Sequence, residues 1–345
     1  MSLETLIQEQ LDPYLVDIDE GSYYPKSFIS ELFKQHYISE TDLKQNAQVV
    51  ERVGQSCLTT GFCLWCQLAF STYLRNADQP RFNQTLQQQL LSGEIMGATG
   101  LSNPMKSFSD LEKLNLTHTK QGDDLIVNGV LPAVSNLDDD HYFGAISQST
   151  DQDSESPELV MFIAQANQPG ISLAIKDNFL GVNGSGTYSV TFDNVHIDSS
   201  QIISTEGKAF AAKIRPTFIA LQIPIALGSI RSSLDLIVPH SNAQNDLSYD
   251  INGFEEQYQT LHQRYYEIIT DHADTLDDYL LELIQLKKAA GYLLLEVNQA
   301  SMVNGGSRAY APTAPQARKL KEGFFFAALT PTLRHLSKLE TELVH

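Results

Sequence analysis

The sequence predicts an α+β chain in three parts. These are an N-terminal helical domain over residues 1–92, a middle antiparallel β-barrel or sandwich over 93–205, and a C-terminal four-helix bundle over 206–345. Three observations predict this. Apolar residues recur at helical spacing at both ends of the chain. Between them the pattern changes to short alternating runs cut by Gly, Asn and Asp turns. The 345 residues are 42% hydrophobic, enough to bury cores in more than one unit.

In the first part, Leu32, Phe33, His36 and Tyr37 share one helical face, as do Leu58, Phe62, Trp65, Leu68 and Ala69. The three cysteines, Cys57, Cys63 and Cys66, fall in this second, buried helix. They read as small core residues, because no second cysteine pair or nearby His completes a zinc site. Residues 71–80 interrupt the pattern, and 82–91 form a short helix stopped by Ser92-Gly93.

In the middle part, residues 114–119 alternate into a Gln121-Gly122-Asp123-Asp124 turn. Leu125-Ile-Val follows, and Asn128-Gly129 then predicts a hairpin turn. Residues 142–147, 158–164 and 189–197 read as further strands, with 149–157 as a polar, acidic loop. In the last part, residues 210–238 read as one long helix and 253–272 as a second. A third covers 274–303 and stops at Asn304-Gly305-Gly306. Residues 316–343 complete a bundle.

The 42 acidic and 23 basic side chains leave a formal net charge of -19. Such a surface disfavours nucleic acid and anionic membranes as partners. The longest apolar stretch, residues 218–230, is about two-thirds of a membrane span. It contains Gln222 and Pro224 and reads as a core helix. The N-terminus has neither the basic nor the apolar region of a leader peptide, so a cytoplasmic location is expected. Gly181-Val-Asn-Gly-Ser-Gly precedes a strand rather than a helix and is not a dinucleotide fingerprint. The nine His are scattered, and acidic runs such as Asp138-Asp139-Asp140 and Asp277-Asp278 read as solvated faces, so no metal is expected.

Four segments in fixed order carry more information. They are Ser92-Gly-Glu-Ile-Met-Gly-Ala-Thr-Gly; Asn128-Gly-Val-Leu-Pro-Ala-Val-Ser-Asn; Leu180-Gly-Val-Asn-Gly-Ser-Gly-Thr with Val190-Thr-Phe-Asp-Asn-Val-His-Ile; and Asn304-Gly-Gly-Ser-Arg-Ala-Tyr with Arg318-Lys-Leu-Lys-Glu. Together they resemble the acyl-CoA dehydrogenase family over most of residues 42–335. The resemblance implies that family's fold and an FAD between the β domain and the bundle. It places Ala98 and Thr99 at the pyrimidine side of the flavin, Ser135 near N5, and Gly305 and Gly306 where backbone approaches the cofactor of a neighbouring subunit. It implies hydride transfer from the CH–CH group of an acyl-CoA, or another small hydrophobic substrate, in a homodimer or homotetramer.

The departures from the family pattern are specific. The hairpin Trp is Ala133, the acid of T-E-P is Gly100, and the Gln before the double glycine is Met302. The R-D pair is Lys321-Glu322, and residues 239–253 lack the family's Arg for the FAD diphosphate. The catalytic Glu position falls on Thr330, and its alternative on the first bundle helix falls on Phe218. Neither side chain can take an α-proton. The Thr330-Pro331-Thr332 segment is similar to flavin-dependent monooxygenases of the same fold, which use reduced flavin and need no such base. A non-catalytic homologue that has lost FAD is the third reading.

Overall fold

The computed structural model describes residues 1–78, 80–151, 157–237 and 249–344. Helices α1 (Leu3–Gln10), α2 (Leu15–Glu20), α3 (Lys26–Lys34), α4 (Leu43–Ser56), α5 (Leu58–Arg75) and α6 (Pro80–Leu91) form the first part. Ser2 caps α1 and Asp42 caps α4 through their side chains. Helix α5 is buried on all sides, so it lacks a polar face and runs through the centre of the molecule. Cys63 and Cys66 within it and Cys57 at its N-cap are free and buried, as the sequence suggests.

The middle part holds β1 (Gly97–Thr99), α7 (Ser102–Ser107), β2 (Leu116–Gln121), β3 (Asp124–Val134), β4 (Tyr142–Ser149), β5 (Leu159–Gln165), β6 (Ile171–Ile175), β7 (Tyr188–Ile197) and β8 (Ile202–Ser204). They form one eight-stranded sheet in the order β6-β7-β3-β2-β4-β5-β8, with β1 beside β4. Most pairings are antiparallel, but β1–β4 and β2–β4 are parallel, so the sheet is mixed. Its inward residues, Leu131, Phe143, Phe162 and Phe192 among them, make a core separate from that of the helices.

Asn128-Gly129 is not the expected turn. Both residues lie inside β3, where Gly129 has φ 129° and the register with β7 shifts. A Cβ at Gly129 would stand 2.3 Å from the Asn115 carbonyl oxygen, so glycine serves a bulge here. The β2–β3 turn is made at Gly122, φ 66°. Part of the acidic loop expected over 149–157, residues 152–156, lies outside the described residues.

The last part holds α8 (Gly207–Ala220), α9 (Ile223–Ile237), α10 (Ile251–Asp271), α11 (Leu280–Ala309), α12 (Pro315–Ala328) and α13 (Leu333–Val344). Helix α11 is central and packs against α8, α9, α10, α12 and α13. The helix expected over 210–238 is two helices joined at Leu221-Gln222, and its end from 238 lies outside the described residues. Pro224 has no N–H for the Ala220 carbonyl four residues back. That carbonyl instead accepts from the Tyr265 hydroxyl at 3.0 Å. The apolar stretch is mostly buried within the protein. The last expected helix is likewise two, parted at residues 329–332, where the Thr330–Pro331 peptide is cis. Helix α11 does not stop at the double glycine; Gly306 leaves helical geometry (φ 60°, ψ -149°) and helical bonding resumes to Ala309.

Candidate active site

A cavity of ≈ 390 Å³ opens where α5, the sheet, α8 and α12 meet. Phe62, Trp65 and Cys66 of α5 form one wall, and Phe218 of α8, Phe325 of α12 and Leu329 another. Thr99, Ala133, Ser135 and Thr187 line the sheet side, with Ser102 and Thr330 nearby. The aromatic rings lock one another. Phe62 meets Phe325 edge-on at 4.7 Å, and Trp65 meets Phe218 edge-on at 4.6 Å. The Trp65 indole N–H donates to the Phe218 carbonyl at 3.1 Å, which satisfies its one polar atom.

Hydroxyl groups mark the polar rim. Thr99 Oγ1 is 2.5 Å from the Tyr73 hydroxyl and accepts from the Leu101 N–H. Ser135 Oγ lies 2.7 Å from Thr187 Oγ1, which lies 2.7 Å from buried Ser185. Thr330 Oγ1 lies 2.9 Å from Ser102 Oγ. The backbone around Thr330 is held by three hydrogen bonds from two side chains. Buried Lys287 donates to the carbonyls of Leu329 (3.2 Å) and Pro331 (2.7 Å), and Gln222 donates to that of Thr330 (2.9 Å). Burial pushes the Lys287 ammonium well below the usual lysine range.

Charge at the cavity is nearly absent. Among the described lining residues Lys321 is the only cation, and its ammonium is paired with buried Asp19. None of the described lining residues is a carboxylate or an imidazole. Cys66 is buried, and desolvation holds its thiol well above the usual range, so it is a poor nucleophile. Glu322, beside Lys321, turns away. It accepts from the Leu58 N–H at the start of α5 and is flanked by Arg318 and Lys319, each at 3.3 Å.

Thr99, Ser135, Phe218 and Thr330, singled out from sequence, thus share one cavity although up to 231 positions part them. Ala98 is buried inside the sheet core and does not line it. Gly305 and Gly306 lie near the end of α11 and are not among its lining residues. His335, in α13 past Thr330, is not among the lining residues; its Nε2 lies 2.9 Å from Ser109 Oγ. The sequence reading missed Ser102, Gln222 and Lys287. Gln222 left a signal, a lone amide inside an apolar run; a single lysine in a helix leaves none.

No protein-family model matches the chain. Curated relatives do. Cyclohex-1-ene-1-carbonyl-CoA dehydrogenase of Geobacter metallireducens is 22% identical over 67% of the chain, a match that spans 64% of that enzyme. The mitochondrial 2-methylacyl-CoA dehydrogenase of Solanum tuberosum is 21% identical over 97% of the chain and 87% of its own length. The solved butyryl-CoA dehydrogenase of Megasphaera elsdenii superposes with TM-score 0.85 at 16% identity, over 99% of this chain and 96% of that one. The chain is a divergent relative of the acyl-CoA dehydrogenases. Its fold is theirs, with helices at both ends, a central sheet and a C-terminal helical cluster. The same fold is found in dibenzothiophene monooxygenase from Paenibacillus sp. A11-2, at TM-score 0.79, 13% identity and coverage of 98% of this chain and 95% of that one.

Proposed function

We propose that the chain is a flavin-dependent oxidoreductase of acyl-CoA dehydrogenase type, with its flavin ring and an apolar substrate in the ≈ 390 Å³ cavity. One observation carries this reading: Thr99, Ser135 and Thr330, named from distant segments by family resemblance, converge there with an aromatic wall. The residues fit the ring half of a flavin. Apolar walls suit a flat tricyclic body, hydroxyls suit its polar edge, and Ala133 leaves space where the family has Trp. For the diphosphate half, the one cation among the described lining residues is Lys321, already paired with Asp19.

A bound flavin supplies the two-electron acceptor. This chain's residues do the rest. Phe62, Trp65, Phe218 and Phe325 exclude water, and Ser135, Thr187 and Ser185 form a hydroxyl chain that can relay a hydrogen bond to the ring edge. Thr330, clamped by Lys287 and Gln222, meets the substrate side together with Ser102. The absence of a carboxylate or imidazole among the lining residues favours a second reading, the flavin monooxygenase of the same fold, whose chemistry needs no α-proton base.

The test is optical. FAD and FMN, oxidised and reduced, are titrated into the purified chain, and the visible spectrum is recorded. Binding followed by anaerobic bleaching with an acyl-CoA of some chain length supports the dehydrogenase. Binding of reduced flavin with oxygenation of a substrate in air supports the monooxygenase. Failure of every flavin to bind removes both.

A further inference from the structure

We propose that Asp138, Asp140 and His141 form a binding site for a first-row divalent transition-metal ion such as Zn²⁺. The run Asp138-Asp139-Asp140 reads in sequence as a solvated face, and the structure gives it a different setting. A turn closed by the His141 N–H to the Asp138 carbonyl (3.1 Å) brings the three side chains to one side. One ligand atom from each lies within 4.8 Å of the others.

The second observation is the imidazole. His141 is wholly buried, and its Nδ1 lies 2.9 Å from the Asn136 carbonyl oxygen. A carbonyl only accepts, so Nδ1 carries the proton and Nε2 is left as a bare lone pair. That atom is buried and has no hydrogen-bond partner, and it stands 3.6 Å from Asp140 Oδ1. A backbone carbonyl fixing one ring nitrogen while the other faces carboxylates is the usual support of a metal-ligating His. The Asp139 N–H similarly holds Asp138 Oδ1 at 2.9 Å, and Oδ2 meets the Lys26 ammonium.

The carboxylates already converge on a cation. The Lys26 ammonium of α3 lies 3.2 Å from Asp138 and 2.7 Å from Asp140. Lys26 is the internal competitor, and its side chain is 35% exposed, so it can leave. Metal–ligand bonds of about 2.0–2.2 Å put tetrahedral ligand atoms ~3.3 Å apart. Asp138 and Asp140, 40% and 68% exposed, can close to that spacing, while His141 stays fixed. An imidazole ligand selects zinc-like ions over Mg²⁺ or Ca²⁺. Asn136, whose carbonyl meets His141, follows the cavity-lining Ser135 in the chain and donates to the Gly97 carbonyl at 2.8 Å.

Calorimetric titration of the metal-stripped full chain with Zn²⁺, paired with a Co²⁺ visible spectrum, tests this. One equivalent of Zn²⁺ is expected. Lys26→Met should bind about tenfold tighter, and Asp138→Asn and Asp140→Asn about tenfold weaker. Both Asp changes are at exposed side chains, and far-ultraviolet circular dichroism checks that they fold. Three results overturn the assignment: no saturable binding in the natural chain, binding only after Lys26→Met, or binding indifferent to both Asp variants.

Discussion

Thr330 occupies the place where a resemblance to dehydrogenases expects a carboxylate, and the structure holds it there firmly. Its neighbours' carbonyls are taken by Lys287 and its own by Gln222. Thr330→Glu should therefore put a carboxylate into the cavity without moving the chain. If the dehydrogenase reading holds, anaerobic bleaching of bound flavin by octanoyl-CoA should rise about 10²-fold in this variant; an unchanged rate would remove position 330 from the reacting carbon. His335 gives a second test. Burial, then the charges of Arg215, Lys287, Lys106 and Lys338, push its imidazole down to about 4. In the unfolded chain it takes a proton near pH 6.5, so its contribution is present above that pH and is lost as pH falls toward 4. The loss is at most about 3 kcal/mol. The urea midpoint of His335→Gln, which can still bond to Ser109, should fall less between pH 7 and 4.5 than that of the natural chain. At this scale the sequence was legible where a motif fixed register, as at Thr99, Ser135 and Thr330. It was opaque at Lys287, because a lysine on a helix ordinarily faces water.

Elements were legible from period and much less so from their breaks. Alternation and helical spacing located β2, β4, β5 and β7 and helices such as α5, α6 and α10, but not α4 or the short strands β1, β6 and β8. The splits at Leu221-Gln222 and at 329–332 depend on which carbonyl finds a distant donor, Tyr265 in one case and Lys287 in the other. Asn128-Gly129 misled because a local turn signal and a bulge need the same backbone freedom, and only pairing with β7 decides between them. The union of the first and last parts also rests on glycine. Gly54 of α4 lies against the Ile225 backbone of α9, and a Cβ at Gly228 of α9 would stand 2.1 Å from the Glu51 carbonyl oxygen and 2.7 Å from the Gln55 nitrogen. Backbone atoms cannot yield as a flexible side chain would. Gly228→Ala should destabilise the chain by about 2–3 kcal/mol, read as a lower urea midpoint at unchanged slope. An unaltered midpoint would mean that α4 and α9 are not pressed together as described.

For the whole molecule, the charge of -19 sets a condition on the cofactor. The negative surface repels a diphosphate, and the cavity's Lys321 is already engaged by Asp19. Salt screens such repulsion. Equilibrium dialysis should therefore show FAD binding about threefold tighter at 0.2 M than at 0.01 M salt, with lumiflavin, which has no phosphate, unaffected. Weaker FAD binding at high salt would instead reveal a cation set that grips the diphosphate. The three-part architecture was legible because the hydrophobic period changes from helical to alternating and back to helical along the chain. The cavity was not, because its walls come from α5, the sheet, α8 and α12 at once. That meeting of walls has a practical consequence. The chain's one tryptophan, Trp65, stands in the cavity with its ring packed on Phe62 and Phe218 and its N–H tied to a carbonyl. Its fluorescence is a built-in gauge of that one space. Any molecule that displaces water there, coloured or colourless, should announce itself in the emission of the unlabelled protein.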